Sequence, residues 1–288
     1  MPVLVLVGVA LAVGLLTWVA LGRRPRPRSV ARVAAEVGAA AGRRPRLRAL
    51  VRARLDPNVG TGLAMTVALL VAICGGITLG LLAYLVRSSS LLVGVDNGAA
   101  GWGERHAGAA STRVLTGITQ LGNIRVVVVL GLLLVAAEML RQRTFWVAAF
   151  VCAVVGGEEA LTTVVKTAVD RARPTFNPAA ASLGPAFPSG HSATAAAFYA
   201  AAALVLARSG ARGRPALLGG LAVGIAVAVA SSRVLLDDHW LSDVIAGLAL
   251  GWAWFAVCGI AFGGRILRFG AAVEIAEQAA SRRMRPNA

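Results

Sequence analysis

The fold class this sequence predicts is all-α: a polytopic membrane helical bundle, with a six-span body and one extra N-terminal transmembrane helix. Of its 288 residues, 57% are hydrophobic and only 15% are charged. A soluble domain carries about 25% charge. The mean hydropathy is +0.73. The apolar residues also gather in long blocks, and a bilayer core needs about 20 consecutive apolar residues per helix. A soluble core has no use for so many runs of that length.

Seven blocks qualify as spans: 3–22, 61–86, 124–140, 145–168, 190–207, 216–236 and 242–263. The first has no basic residues before it and an arginine cluster after it, so it reads as an uncleaved span rather than a signal peptide. Segment 23–57 then forms a basic linker, with a short surface helix expected around 43–55. Residues 61–263 form the six-span body, and 264–288 a basic tail.

Arginine placement orients the bundle. Eleven arginines lie between residues 23 and 54. Arg141 and Arg143 follow the third span, Arg208, Arg212 and Arg214 the fifth, and Arg265, Arg268, Arg282, Arg283 and Arg285 the seventh. With these four segments cytoplasmic, every span alternates under the positive-inside rule. The C-terminus is then cytoplasmic, and the basic segments lie against anionic headgroups of the cell membrane. The net charge of +16 is thereby assigned to membrane lipid. Nucleic acid is not an expected partner, because no aromatic-basic surface or binding motif accompanies the charge. Nothing in the sequence sets the oligomeric state.

Several features carry no chemistry. Cys74, Cys152 and Cys258 stand singly inside apolar spans, without pairing or metal-ligand spacing. Gly76/Gly80, Gly220/Gly224 and Gly247/Gly251 are small-residue pairs suited to close helix packing. His106 reads as a surface residue.

Three polar clusters converge on the outer face. Lys166, the only lysine among 29 basic residues, ends the fourth span. Arg173 follows seven residues later, two helical turns on, so the two cations are expected on one helix face up to Pro174. Pro188-Ser189-Gly190-His191 opens the fifth span, with Ser189 near its N-cap. The free amides of that helix start suit an anion. Ser232-Arg233 and His239-x3-Asp243 join the sixth and seventh spans. The i, i+4 spacing stacks His239 and Asp243 on one face, either as an ordinary capping pair or as a carboxylate that sets the imidazole tautomer. Three cations, a helix N-terminus and two histidines suit phosphoryl transfer. No carboxylate cluster suits a hard metal, so no metal or cofactor is expected. Glu158 and Glu159 lie inside the fourth span, where a carboxylate is costly; Glu159, seven residues before Lys166 on the same face, reads either as a partner that positions Lys166 or as a polar contact to another helix. Asp237 and Asp238 are expected to face water.

Lys166-x6-Arg173-Pro174, Pro188-Ser189-Gly190-His191 and Ser232-Arg233-x5-His239-x3-Asp243 resemble the tripartite signature of the type 2 phosphatidic acid phosphatase family, in order and in spacing. The resemblance covers about 61–263, and weakly includes the outer segment 96–123. It implies an integral membrane lipid phosphatase acting on a phosphorylated lipid without metal. His239 would be the nucleophile, Asp243 its orienting carboxylate, and His191 the acid for the leaving oxygen. Lys166, Arg173, Arg233, Ser189 and the amide of Gly190 would bind the phosphoryl group. A phosphotransferase using the same site and a transporter remain open as alternatives, and the lipid is not specified.

Overall fold

The computed structural model describes residues 2–22, 60–106, 108–142, 145–174, 184–208 and 214–266. The expected linker, and all but the first three residues of the expected tail, lie outside them. The described residues form helices α1 (Pro2–Gly22), α2 (Gly60–Ser88), α3 (Ser90–His106), α4 (Ala109–Thr119), α5 (Ile124–Gln142), α6 (Trp146–Val169), α7 (Gly190–Ala207), α8 (Arg214–Leu235) and α9 (Leu241–Ile266), with a 3₁₀ turn at Gln120–Gly122 between α4 and α5. Six helices are long and apolar enough to cross a membrane. A seventh span results if α4 with its 3₁₀ turn and α5, which meet at a 51° bend, count as one.

Every expected span is helical within a few residues of its predicted bounds. Two helices have no counterpart in the expected spans. The outer segment folds as α3 and α4, which are too short and too polar to have been read from apolar blocks.

The interior is built from α7, α8 and α9, with α6 closing one side. Helix α7 is rich in alanine, the strongest helix former, and Ser192 through Phe198 are all buried. Small side chains let its neighbours approach. Gly247 and Gly251 of α9 close against the backbone of Ser189 and Ala193. Beneath the site, Val147, Phe150, Val154, Ala197, Ala201 and Val205 join α6 to α7 in an apolar core. Glu158 is fully buried in this interface and accepts hydrogen bonds from Thr162 (2.7 Å) and from Thr194 of α7 (2.9 Å). It is therefore a polar contact to another helix.

Helix α1 packs along α8. A Cβ at Gly220 would meet the Gly14 carbonyl oxygen at 2.7 Å, so these backbones touch. Gly76 and Gly80 correct the sequence reading, since a Cβ on either would meet nothing within 4 Å. Gly75 instead faces α9, at Ala249 and Ala253. The three cysteines are unpaired, with Cys74 and Cys152 exposed on the bundle surface.

Candidate active site

The ends of α6, α7, α8 and α9 on one side of the bundle bring the candidate residues into one neighbourhood. Lys166, Arg173 and Arg233 all act electrostatically on both His191 and His239. The local routes to this neighbourhood differ from the expected ones in two places.

The first is the end of α6. The helix stops at Val169 and not at Pro174, because Asp170 turns into the left-handed region (φ 45°) and its amide closes on the Lys166 carbonyl at 2.9 Å. Asp tolerates this conformation better than most residues. Lys166 is therefore helical while Arg173 sits in the non-helical chain that follows, and the two do not share a helix face. They meet because the chain returns across the site. Lys166 Nζ donates to the Pro185 carbonyl at 2.7 Å. Arg173 Nε donates to the Gly184 carbonyl (2.8 Å), and its Nη1 to the Asp238 carbonyl (2.7 Å). Arg173 thus ties the segment before α7 to the loop between α8 and α9.

The second is the start of α9. His239 lies in the loop before the helix, which begins at Leu241. Its pairing with Asp243 does not come from a shared helix face. The Asp243 carboxylate folds back to accept the Trp240 amide at 3.0 Å, capping α9 from its third residue. The same oxygen, Oδ2, lies 3.5 Å from His239 Nδ1. The carboxylate therefore caps α9 while standing beside the ring, whose buried Nδ1 makes no hydrogen bond.

The other ring nitrogen of His239 faces a cation. Arg173 Nη1 is 3.2 Å from His239 Nε2. A guanidinium only donates, so Nε2 must accept with its lone pair, and the proton belongs on Nδ1, on the Asp243 side. Burial, reinforced by Arg173, Arg233 and Lys166, holds the imidazole well below its usual range. That direction favours the neutral ring.

At α7, Ser189 is the N-cap residue. It is fully buried, and its Oγ accepts from Ser192 Oγ at 3.0 Å. The first backbone bond of the helix runs from Ala193 N to Ser189 O. The amides of Gly190, His191 and Ser192 precede it, as the donors of an anion-binding helix start do. Arg233 is 7% exposed. Its Nη1 pairs with Asp238 Oδ2 at 2.9 Å and reaches Thr119 Oγ1 at 3.2 Å. Asp237 and Asp238 do not simply face water: Asp237 is buried and Asp238 holds Arg233.

Arg171, Asp96 and Ser242 were not singled out in the sequence. Arg171 lies between the two signature cations but points elsewhere. Its Nη1 contacts Asp243 Oδ1 (2.5 Å) and Ser242 Oγ (2.7 Å), and its Nη2 contacts Asp96 Oδ2 (2.7 Å). Asp96, from α3, also accepts the Ser242 amide and hydroxyl. The available signal was Asp96 in the outer segment 96–123, whose likeness to the signature family was weak. His106 is exposed and stacks on Trp102. Glu159 lines an apolar groove between α5 and α6 and is close enough to act electrostatically on Lys166. Among the described residues, no group of three or more His, Cys, Asp or Glu side chains converges as a metal site requires.

With this geometry in place, comparison with known proteins is informative. Residues 144–266 match the PAP2 superfamily model. Phosphatidylglycerophosphatase B of Bacillus subtilis (strain 168) is 35% identical over 143 residues, covering 48% of this chain and 68% of that protein. A lipid A 1-phosphatase of Rhizobium johnstonii is 36% identical over 135 residues, covering 41% of this chain and 51% of the relative. The chain thus spans about half the length of that second relative. The crystal structure of a transmembrane PAP2 type phosphatidylglycerolphosphate phosphatase from Bacillus subtilis superposes with a TM-score of 0.63 at 27% identity, covering 69% of this chain and 98% of that one.

Proposed function

From the premise that the chain belongs to the PAP2 superfamily and is a membrane lipid phosphatase, we propose that it cleaves a lipid phosphomonoester or diphosphate through a phosphohistidine on His239. The observation that carries this reading is the state of the ring: Nε2 accepts from Arg173 while Nδ1 faces Asp243. Nε2 attacks phosphorus, and the bond to the lipid oxygen breaks. His191 protonates that oxygen as it leaves. Water then attacks the phosphohistidine, His191 takes its proton, and phosphate departs. Lys166, Arg173 and Arg233 neutralise the phosphoryl oxygens, with the amide of Gly190 and the hydroxyl of Ser189. Arg173 exchanges its bond to Nε2 for one to the phosphoryl group as the nitrogen is consumed. The protein's own cations carry the charge that a metal ion carries in other phosphoryl-transfer sites.

The substrate is of the phosphatidate, phosphatidylglycerol phosphate or polyprenyl diphosphate kind. Residues 61–263 act as the catalytic body, with α1 appended to it. The site opens on the outer face of the cell membrane, and the tail is cytoplasmic. Rapid quench with ³²P-labelled lipid tests the mechanism. Label retained on the protein in base, lost in acid and absent from His239→Ala supports it; no labelled protein under any quench sinks it. Single cysteines at Ala40 and Ala180, with Cys74, Cys152 and Cys258 replaced by alanine, test the orientation. An impermeant thiol reagent on intact cells is expected to reach position 180 and not position 40.

A further inference from the structure

Helix α4, with its 3₁₀ turn, meets α5 at a bend of 51°, and the break rests on the first turn of α7. We propose that this break is a brace for the phosphoryl site, in which Thr119 aims Arg233 and Gly122 sets the position of His191. The proposal rests on the lipid-phosphatase reading above and adds two positioning residues to it. Both lie before the three signature motifs.

The local sequence makes the break. Asn123 leaves the helical region (φ −70°, ψ 130°), and its amide closes the 3₁₀ turn on the Gln120 carbonyl at 3.0 Å. Its Oδ1 then accepts the Arg125 amide at 3.0 Å, so α5 starts afresh behind a side-chain cap. A short 3₁₀ piece of this kind connects two helices and redirects the chain between them. Here it turns Gly122 into the interior.

Two contacts with the site follow. A Cβ at Gly122 would lie 2.6 Å from the His191 carbonyl oxygen and 2.6 Å from Val229 Cγ1, so a larger residue fits only if the start of α7 moves. Tyr199 of α7 fastens the same turn, its hydroxyl donating to the Leu121 carbonyl at 2.9 Å. Gly247 and Gly251 of α9 close on Ser189 and Ala193. The first turn of α7 is thus held between α9 and the break. Thr119, which precedes the 3₁₀ turn, is 3% exposed, and its Oγ1 accepts from Arg233 Nη1 at 3.2 Å. Asp238 takes the same nitrogen at 2.9 Å. Two acceptors on one nitrogen of a planar fork restrict where its other donors point. Because one short turn carries both contacts, it also fixes the spacing of Arg233 and His191.

The test uses full-length protein in one detergent and compares kcat/KM on a lipid phosphate ester and on p-nitrophenyl phosphate. The lipid alkoxide leaves with a proton from the acid, whereas nitrophenolate needs little help. Loss of folded protein lowers both rates alike; a misplaced acid lowers mainly the first. Gly122→Ala is expected to lose about 10²-fold on the lipid ester, as a misplaced reacting group does. Its loss on p-nitrophenyl phosphate should be at least about tenfold smaller, the same bias as His191→Ala. Tyr199→Phe, which adds no bulk, should show that bias at about threefold. Where Gly122→Ala does not fold, Tyr199→Phe decides alone. The Ki of inorganic phosphate, the product, reads the Thr119 arm, because it does not depend on the fraction of protein that is folded. Thr119→Val should raise it roughly fivefold, and Thr119→Ser, which keeps the hydroxyl, should leave it within about twofold. Proportional loss on both substrates in the Gly122 and Tyr199 variants, or an unchanged Ki in Thr119→Val, overturns the brace while the phosphatase reading stands. Absence of bias in His191→Ala itself removes the acid assignment and the brace with it.

Discussion

Arg171 grips Asp243 and Asp96 with separate nitrogens, at 2.5 and 2.7 Å, and so fastens the start of α9 to α3. Asp243 is fully buried and Asp96 is 1% exposed. Because the same Asp243 side chain faces His239, the guanidinium positions the proposed nucleophile without touching substrate. Removing one partner of a buried ion pair leaves an uncompensated charge, at a cost of about 3–5 kcal/mol. Arg171→Gln is expected to lose stability on that scale, and kcat should fall with KM little changed. Lysine reaches only one of the two carboxylates, so Arg171→Lys should recover part of the stability and less of kcat. Thermal unfolding in detergent and steady-state kinetics check both; a variant with normal kcat would show that Asp243 orients itself.

The two histidines should respond differently to the leaving group. A lipid alkoxide needs a proton in the transition state, a contribution typically worth ~10²–10⁴-fold, whereas nitrophenolate needs little help. His191→Ala should therefore lose far more kcat/KM on a lipid ester than on p-nitrophenyl phosphate. His239→Ala should lose both about equally. Loss in the same ratio for both variants would make His191 a phosphate-binding residue instead.

Lys166→Arg preserves charge but is expected to lose most activity. The Lys166 ammonium donates to the Pro185 carbonyl, and the Arg173 guanidinium already bonds Gly184 beside it. A second planar fork must displace that loop. If the lysine serves as one preorganised transition-state donor, the loss is ~2.7–4 kcal/mol, or about 10²–10³-fold in kcat. Near-normal turnover would mark the single lysine as a compositional accident.

Asp237 gives the loop between α8 and α9 a pH signature. Burial, with help from Glu104 and Asp238, raises its carboxyl from 3.8 to about 6. The folded chain therefore holds this proton more tightly than the unfolded chain does. Between these two values the folded state binds more protons, so stability falls as pH rises. Asp237→Asn has no such proton to lose. Its melting temperature relative to wild type should climb between pH 4 and about 6.5 and then level off. Parallel profiles would mean that Asp237 titrates alike in both states.

Turnover is expected to survive chelation and to be inhibited by vanadate, which adopts the five-coordinate geometry of the transferring phosphoryl group. Phosphate release measured with and without EDTA decides the point. Activity abolished by EDTA and restored by magnesium would replace the cation-only mechanism.

By itself the sequence determined the membrane bundle, the span boundaries and the convergence of the polar clusters. Bilayer thickness imposes a run length that composition displays directly. It also showed which residue types would meet, because Lys166, Arg173, Ser189, His191, Arg233, His239 and Asp243 all sit at span ends of one polarity. Only the tertiary structure decided how they meet. Asp170 breaks α6 early, and Arg173 reaches His239 from non-helical chain. Asp243 caps its own helix while facing a histidine that precedes it. Arg171 and Asp96 are 75 residues apart, and neither lies in an apolar block. Periodicity records which face of an element avoids water. It does not record which polar side chains share a buried carboxylate, because that depends on how close two helices come and what stands between them.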